Sequence, residues 1–217
     1  MKYLAAIFDM DGTILNTLTD LQNAVNHALK LNHMPQRTYE EVRMFVGNGI
    51  AKLIERAVPE GTDAEAQEKV YEDFTAFYKI HSSDTTKPYD GVTKAIADLK
   101  KAGVKTAVVS NKADYGVQDL VKVFFNGLFD VAVGQKDGLN TKPHPDMINL
   151  ALSSLNVSNK ESVYIGDSDV DFNTAKNSNM DFIGVSWGFR GRSFLQNLGT
   201  KMIVDQADEL MAMIVNE

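Results

Sequence analysis

The sequence predicts an α/β fold: a mostly parallel sheet core with a helical cap inserted after its first strand. Three observations lead there. Short, β-branched apolar runs alternate with helical patterns along most of the chain. One stretch, residues 16–86, carries helical patterns and no convincing strand. The length of 217 residues is also long for one compact domain and short for two ordinary ones.

The elements follow in order. Tyr3 to Phe8 reads as the first strand. Leu21, Val25, Ala28 and Leu29 then form one helical stripe, Ile50, Leu53, Ile54 and Ala57 a second, and Val70, Phe74, Phe77 and Tyr78 a third. Beyond them Val92, Ala95, Ile96 and Leu99 keep a 3.6-residue spacing that Gly103 ends at a plausible C′ position. Lys105 to Val109 and Val131 to Val133 read as strands. Ile148, Ala151, Leu152 and Leu155 repeat the helical spacing after Pro145, which suits a first turn. Ser162 to Ile165, Phe182 to Ser186 and Met202 to Val204 complete the strands. Several are apolar on both faces, as buried parallel strands are, and the crossovers between them are expected to be right-handed. The predicted division is a core of residues 1–15 and 87–217 and a cap of 16–86.

Composition excludes several classes. With 44% hydrophobic residues, 24% charged and 5 prolines, the chain is neither disordered nor collagen-like. Acids outnumber bases 29 to 22, a formal charge of −7, which argues against nucleic acid as a main partner. There is no cysteine, so disulfides, cysteine zinc sites and thiolate nucleophiles are excluded. The opening MKYLAAIFDMDG lacks the long apolar region of a signal peptide, and no stretch approaches a membrane span. A cytoplasmic protein with no membrane partner is expected, and either a monomer or a homodimer fits.

Four segments carry chemistry. The first strand runs into Asp9-Met10-Asp11-Gly12-Thr13. Ligands of open parallel sheets bind at the carboxyl ends of strands, and side chains two apart on extended chain face one side. Two carboxylates in one cavity repel, and a divalent cation relieves the repulsion. Gly12 lets the chain turn and offers an amide to an anion; two surface aspartates in a turn would read the same way. Ser110-Asn111-Lys112 follows the strand ending at Val109, where a hydroxyl and amides suit phosphate oxygens, although taken alone the segment reads better as a helix cap or turn. In Lys142-Pro143-His144-Pro145 the prolines stiffen the backbone around a lysine that would otherwise wander, while His144 reads as structural or exposed. Gly166-Asp167-Ser168-Asp169-Val170-Asp171 follows Ile165, placing Asp167 at a strand end like Asp9. A helix starting near Ser168 would return Asp171 toward Asp167, although acids there also suit a helix N-terminus. No GxxxxGK[ST] occurs, so a P-loop is excluded.

In this order, FDMDGT, VVSN, KPHP and GDSDVD resemble the four motifs of the haloacid dehalogenase superfamily of phosphotransferases. The resemblance spans the whole chain, including a helical segment after the first motif. VGNGI in the cap and the late WGFR are similar to the phosphoglycolate phosphatase-like branch, within the group that also holds β-phosphoglucomutase. The resemblance implies a Rossmann-like core and a Mg²⁺-dependent phosphomonoester phosphatase acting on a small anionic phosphometabolite. By it Asp9 is the nucleophile, Asp11 the general acid/base and Lys142 the orienting, neutralising cation. Ser110 and Asn111, with Gly12 and Thr13, bind phosphate; Asp9, Asp11 (through its backbone), Asp167 and Asp171 form the metal set. Asn16 departs from the acid many relatives carry there. Gly47, Asn48 and Gly49 form a cap loop facing the substrate or a plain helix-connecting turn. Arg43 reads better as a solvated helix arginine than as a substrate ligand, and Trp187 to Arg190 line the site or simply pack. A sugar phosphomutase would use the same residues; a phospho-receiver or binding module is the alternative from another class.

Overall fold

The computed structural model describes residues 2–216. Two compact units divide the chain, one formed by the residues up to Leu15 and from Pro88 on, the other by Asn16–Lys87, so Lys87 groups with the helical unit. Two-residue strands, β2 (Leu15–Asn16) and β3 (Lys87–Pro88), mark the crossings between them.

The first unit is built on a six-stranded sheet of β1 (Ala5–Phe8), β4 (Lys105–Ala113), β5 (Val131–Gln135), β6 (Ser162–Gly166), β7 (Asp181–Val185) and β8 (Met202–Val204). Their order is β5-β4-β1-β6-β7-β8, with every pairing parallel. Each crossover back to the sheet carries helix: α5 (Val92–Lys101), α6 (Asp114–Phe124), α7 (Asp146–Leu155), α8 (Asp169–Asn177) and α9 (Arg192–Asn197), with α10 (Glu209–Val215) last. The alternation of side chains along β1 explains the two-sided core. Ala6 and Phe8 pack with Ile96 and Leu99 of α5, Leu120 of α6 and Ile214 of α10. Ala5 and Ile7 pack on the opposite face with Ile148 and Leu152 of α7 and Leu195 of α9.

This strand order reverses at β1, which lies between β4 and β6, and in such sheets the crevice at the reversal is where ligands bind. Register puts the motifs there together. Phe8 pairs with both Val108 and Ile165, so Asp9, Ser110 and Asp167 follow one or two residues beyond a common level.

The second unit is helical: α1 (Leu18–Leu31), α2 (Tyr39–Phe45), α3 (Ile50–Ala57) and α4 (Ala64–His81). Its core is the predicted stripes, with Leu21, Val25, Leu29, Leu53, Ile54, Val70, Phe74 and Tyr78 buried. Helix α2 was not foreseen; it buries only Val42 and starts with a capping box in which Thr38 and Glu41 satisfy each other's backbone. Two further details differ from expectation. β4 continues past Val109 to Ala113 through a register shift against β5. Pro145 is the N-cap of α7, one residue before its first turn. Among the described residues no helix is long and apolar enough to cross a membrane.

Candidate active site

Asp9 leaves the end of β1 still bound to the ladder, its amide donating to the Ile165 carbonyl at 2.9 Å. Its carboxylate accepts from Lys142 Nζ at 2.7 Å, and both side chains are buried. All three donors of that ammonium are spoken for, because it also donates to Tyr164 Oη and Asp171 Oδ1, each at 2.9 Å. The Lys142 backbone is fixed as well: Asn111 accepts from its amide at 2.7 Å and donates to its carbonyl at 3.0 Å. Asn111 therefore works first on the lysine, through both ends of its side chain. Ser110, also buried, accepts from the Lys112 amide at 3.3 Å.

The sequence Ser168-x-x-Asp171 makes a capping box at the start of α8. Asp171 Oδ2 accepts from the Asp167 and Ser168 amides and from Ser168 Oγ at 2.6 to 3.2 Å, while Oδ1 takes Lys142 and Tyr164. Both oxygens of Asp171 are thus committed to orienting the site. Asp167 accepts from Thr13 Oγ1 at 3.3 Å and from the Phe189 amide at 2.7 Å. Close backbone approach requires glycine here. A Cβ on Gly12, whose φ is +90°, would lie 2.7 Å from an Asp167 oxygen, and one on Gly188 2.2 Å from Asp167 Cβ.

Asp9, Asp167 and Asp171 each present an oxygen within 4.8 Å of the others, and all three are buried. The carboxylate of Asp11 is not among them; it lies 3.3 Å from Lys112 Nζ. Burial and the neighbouring Asp171 push Asp9 up to about 7 against the pull of Lys142. Burial, then Asp171 and Asp9, push Asp167 well above the usual carboxylate range, opposed by the Phe189 amide and Arg190. Burial would lower Lys142, but Asp171 and Asp9 overcome it and hold the lysine well above its ordinary value. Three buried carboxylates against one buried ammonium leave an excess of two negative charges, which protons or a divalent cation must offset. An all-oxygen donor set of this charge fits Mg²⁺.

One contributor was not singled out from the sequence, and a second was named only as part of the Trp187 to Arg190 segment. Tyr164 sits in an apolar strand run, and nothing there signals that its hydroxyl would meet a lysine. The Phe189 amide acts through its backbone, which no residue type announces. The segment around it does line the site: Trp187 Nε1 donates to the Thr13 carbonyl at 3.0 Å. Arg43 pairs with Glu40 at 2.7 Å on α2, as a solvated arginine would. Gly47 and Gly49, with φ of +119° and +85°, form the turn around Asn48 that joins α2 to α3. His144 is exposed and pairs with Asp146 at 3.0 Å.

A buried carboxylate–lysine cluster at the carboxyl edge of a parallel sheet whose strand order reverses at β1 suits phosphoryl-transfer chemistry. Residues 6–185 match the family model of haloacid dehalogenase-like hydrolases, and the chain belongs to that family, as a phosphatase of the haloacid dehalogenase superfamily. It is 31% identical over 212 residues to a phosphoglycolate phosphatase of Colwellia psychrerythraea, covering 94% of each chain. It is 27% identical to pyrophosphatase PpaX of Bacillus mycoides, over 99% of this chain and 98% of that one. A solved structure from Lactobacillus delbrueckii subsp. bulgaricus, provisionally assigned as a phosphoglycolate phosphatase, is 39% identical and superposes with a TM-score of 0.95 over 100% of both chains.

Proposed function

We propose that the protein is a Mg²⁺-dependent phosphomonoester hydrolase that acts on a small anionic phosphometabolite through an aspartyl phosphate on Asp9. The observation that carries this reading is the placement of Asp9, held by Lys142 at 2.7 Å within a buried acidic cluster, with Asp11 two residues on and partly open to solvent. Asp9 and Asp167, with Asp171 beside them, would hold the cation. Bound there, Mg²⁺ supplies charge stabilisation to the transferring phosphoryl group.

The chain's own residues do the rest. A carboxylate oxygen of Asp9 attacks phosphorus in line, and the bond from phosphorus to the leaving oxygen breaks. Asp11, protonated, gives its proton to that oxygen, and the alcohol departs. Asp11 then takes a proton from the water that attacks the aspartyl phosphate, releasing phosphate and restoring Asp9. Lys142 keeps Asp9 oriented in both steps. Thr13 and Phe189 keep Asp167 in place, and Ser110 and Gly12 would meet the phosphate oxygens. The helical unit, Asn16–Lys87, is the part of the chain left to select among phosphorylated substrates.

The names of the relatives support a substrate class. Phosphoglycolate and pyrophosphate are both small and carry a second acidic group beside the phosphoryl group to be transferred. Phosphate release from a panel of small phosphomonoesters and pyrophosphate, with and without Mg²⁺, tests the reading. Turnover that is insensitive to chelation, or sugar phosphate isomers formed in place of free phosphate, would overturn it.

A further inference from the structure

We propose that Lys112 is a positioning residue for Asp11, holding its carboxyl where it must meet the leaving oxygen; this rests on the phosphatase reading above. Lysine is rarely buried without a partner. The Lys112 side chain is only 6% exposed, and its ammonium lies 3.3 Å from Asp11 Oδ1. The other buried lysine of the site, Lys142, spends its donors on Asp9, Asp171 and Tyr164. Lys112 is the cation set beside the acid/base.

The local fold is shaped to deliver it. β4 and β1 are neighbours, and the β4–β5 register shifts between Val109 and Ala113. Such an irregularity re-aims side chains at the end of a strand. The segment is pinned beyond the shift, where Asp114 Oδ1 accepts from the Gly134 amide at 2.8 Å. The lysine stem runs over the first turn of α6, where a Cβ on Gly116 would touch its Cδ and Cγ at 3.4 and 3.6 Å. Asp11 itself is 22% exposed, at the open side of the cluster. A fixed ammonium beside one oxygen restrains its rotation. General acid catalysis requires the acid within about 2.6–3.2 Å of its target, and a misplacement of 1 Å can cost on the order of 100-fold.

The test compares Lys112→Met and Lys112→Arg with wild type, measuring kcat/KM for p-nitrophenyl phosphate and for glycerol 2-phosphate in Mg²⁺. This parameter stops at departure of the first product, the step in which Asp11 is an acid. Lys112→Met is expected to lose roughly 10- to 100-fold on the alkyl ester, whose leaving group needs the proton, and only about 2- to 3-fold on the aryl ester. Lys112→Arg should recover part of the alkyl loss. In an Asp11→Asn background, Lys112→Met should cost nothing further on either ester. Equal losses on both esters, or losses that multiply in the double variant, would show that Lys112 serves the phosphoryl group or the fold, and would overturn the proposal. Thermal melts accompany each variant, and Lys112→Gln replaces Lys112→Met should the latter not fold. Should wild type turn over neither ester, the comparison uses an aryl and an alkyl phosphate that it does accept. A wild type that releases phosphate from no phosphomonoester or pyrophosphate is a separate outcome, which removes the proposed function and this proposal with it.

Discussion

Asp20 of α1 is the sharpest test of how the helical unit is held together. Its carboxylate is 1% exposed and takes four donors from the segment that ends the unit. The Thr85 amide and hydroxyl reach it at 3.0 and 2.6 Å, and the Thr86 amide and hydroxyl both at 2.8 Å. Asp20→Ala removes every acceptor. Thr85 is exposed and can turn to water, but Thr86 is 5% exposed, so its two donors would stay buried and unpaired. At about 1–3 kcal/mol for each buried unpaired donor, less what the hydroxyl regains by rotating, the loss is about 2–4 kcal/mol. At roughly 2–4 °C per kcal/mol for a chain of this length, Tm should fall by about 4–16 °C. Asp20→Asn is the control. Its carbonyl oxygen can take the place facing Thr86 while the Thr85 hydroxyl turns to accept, so the loss should be only about 1 kcal/mol. Burial pushes the Asp20 pKa up, yet the Thr85 and Thr86 bonds outweigh it and hold it below the usual value. The charged form therefore stabilises the fold above the unfolded value of about 3.9, and that advantage is lost as pH falls through the lower folded value. Melts and urea midpoints should show a constant gap between wild type and Asp20→Asn from pH 8 to about 5 that closes in more acid solution. A Tm for Asp20→Ala within about 1 °C of wild type would refute the reasoning.

Three further outcomes are expected. Asp9→Asn should cut turnover on the order of 10⁴-fold or more while leaving Tm unchanged or raised, because a neutral amide relieves the repulsion from Asp171; wild-type-like activity in the folded variant rules out the nucleophile. Gly188→Ala would place its Cβ 2.2 Å from Asp167 Cβ and 2.5 Å from the Gly12 carbonyl, so about 1–3 kcal/mol of stability and most activity should go. Calorimetry that finds it as stable and active as wild type contradicts the close approach. Mg²⁺ at 100 times its dissociation constant should add about 2.7 kcal/mol, roughly 5–10 °C in Tm, and Asp167→Asn should lose most of that gain. A melt indifferent to Mg²⁺ would mean that the acidic cluster does not hold it.

The strands were legible because burial on both faces writes itself as unbroken apolar runs such as Val163-Tyr164-Ile165, whatever their partners. Helix α2 was not, since seven residues with one buried side chain carry almost no periodicity; only the Thr38–Glu41 capping pair announced it. The polar end of β4 was hidden for another reason. Ser110 to Ala113 look like a turn, and the far end of the segment is tied down by the Ala113–Gln135 pairing and the Asp114–Gly134 bond, both made at long range. The motif residues were visible by type and order, but their division of labour was not. Asn111 holding the Lys142 backbone, Tyr164 holding its ammonium and Lys112 beside Asp11 all depend on which strands become neighbours.

That division of labour changes what the acidic balance means. Over the whole chain, −7 argues against a polyanionic partner. Inside the site, three buried carboxylates face the Lys142 ammonium, and the upward push on Asp9 and Asp167 shows how strongly that crowding resists further negative charge. A doubly charged phosphate entering that field would be repelled by about 4 kcal/mol for each like-charged pair at 4 Å and an effective dielectric constant near 20. Lys142 has no donor left to offer against it. Affinity for the phosphoryl group is therefore expected to be coupled to a divalent cation that offsets this charge. On this argument, chelation should abolish substrate binding itself, not only the chemical step. Inorganic phosphate measured by calorimetry should bind with Mg²⁺ and not without it.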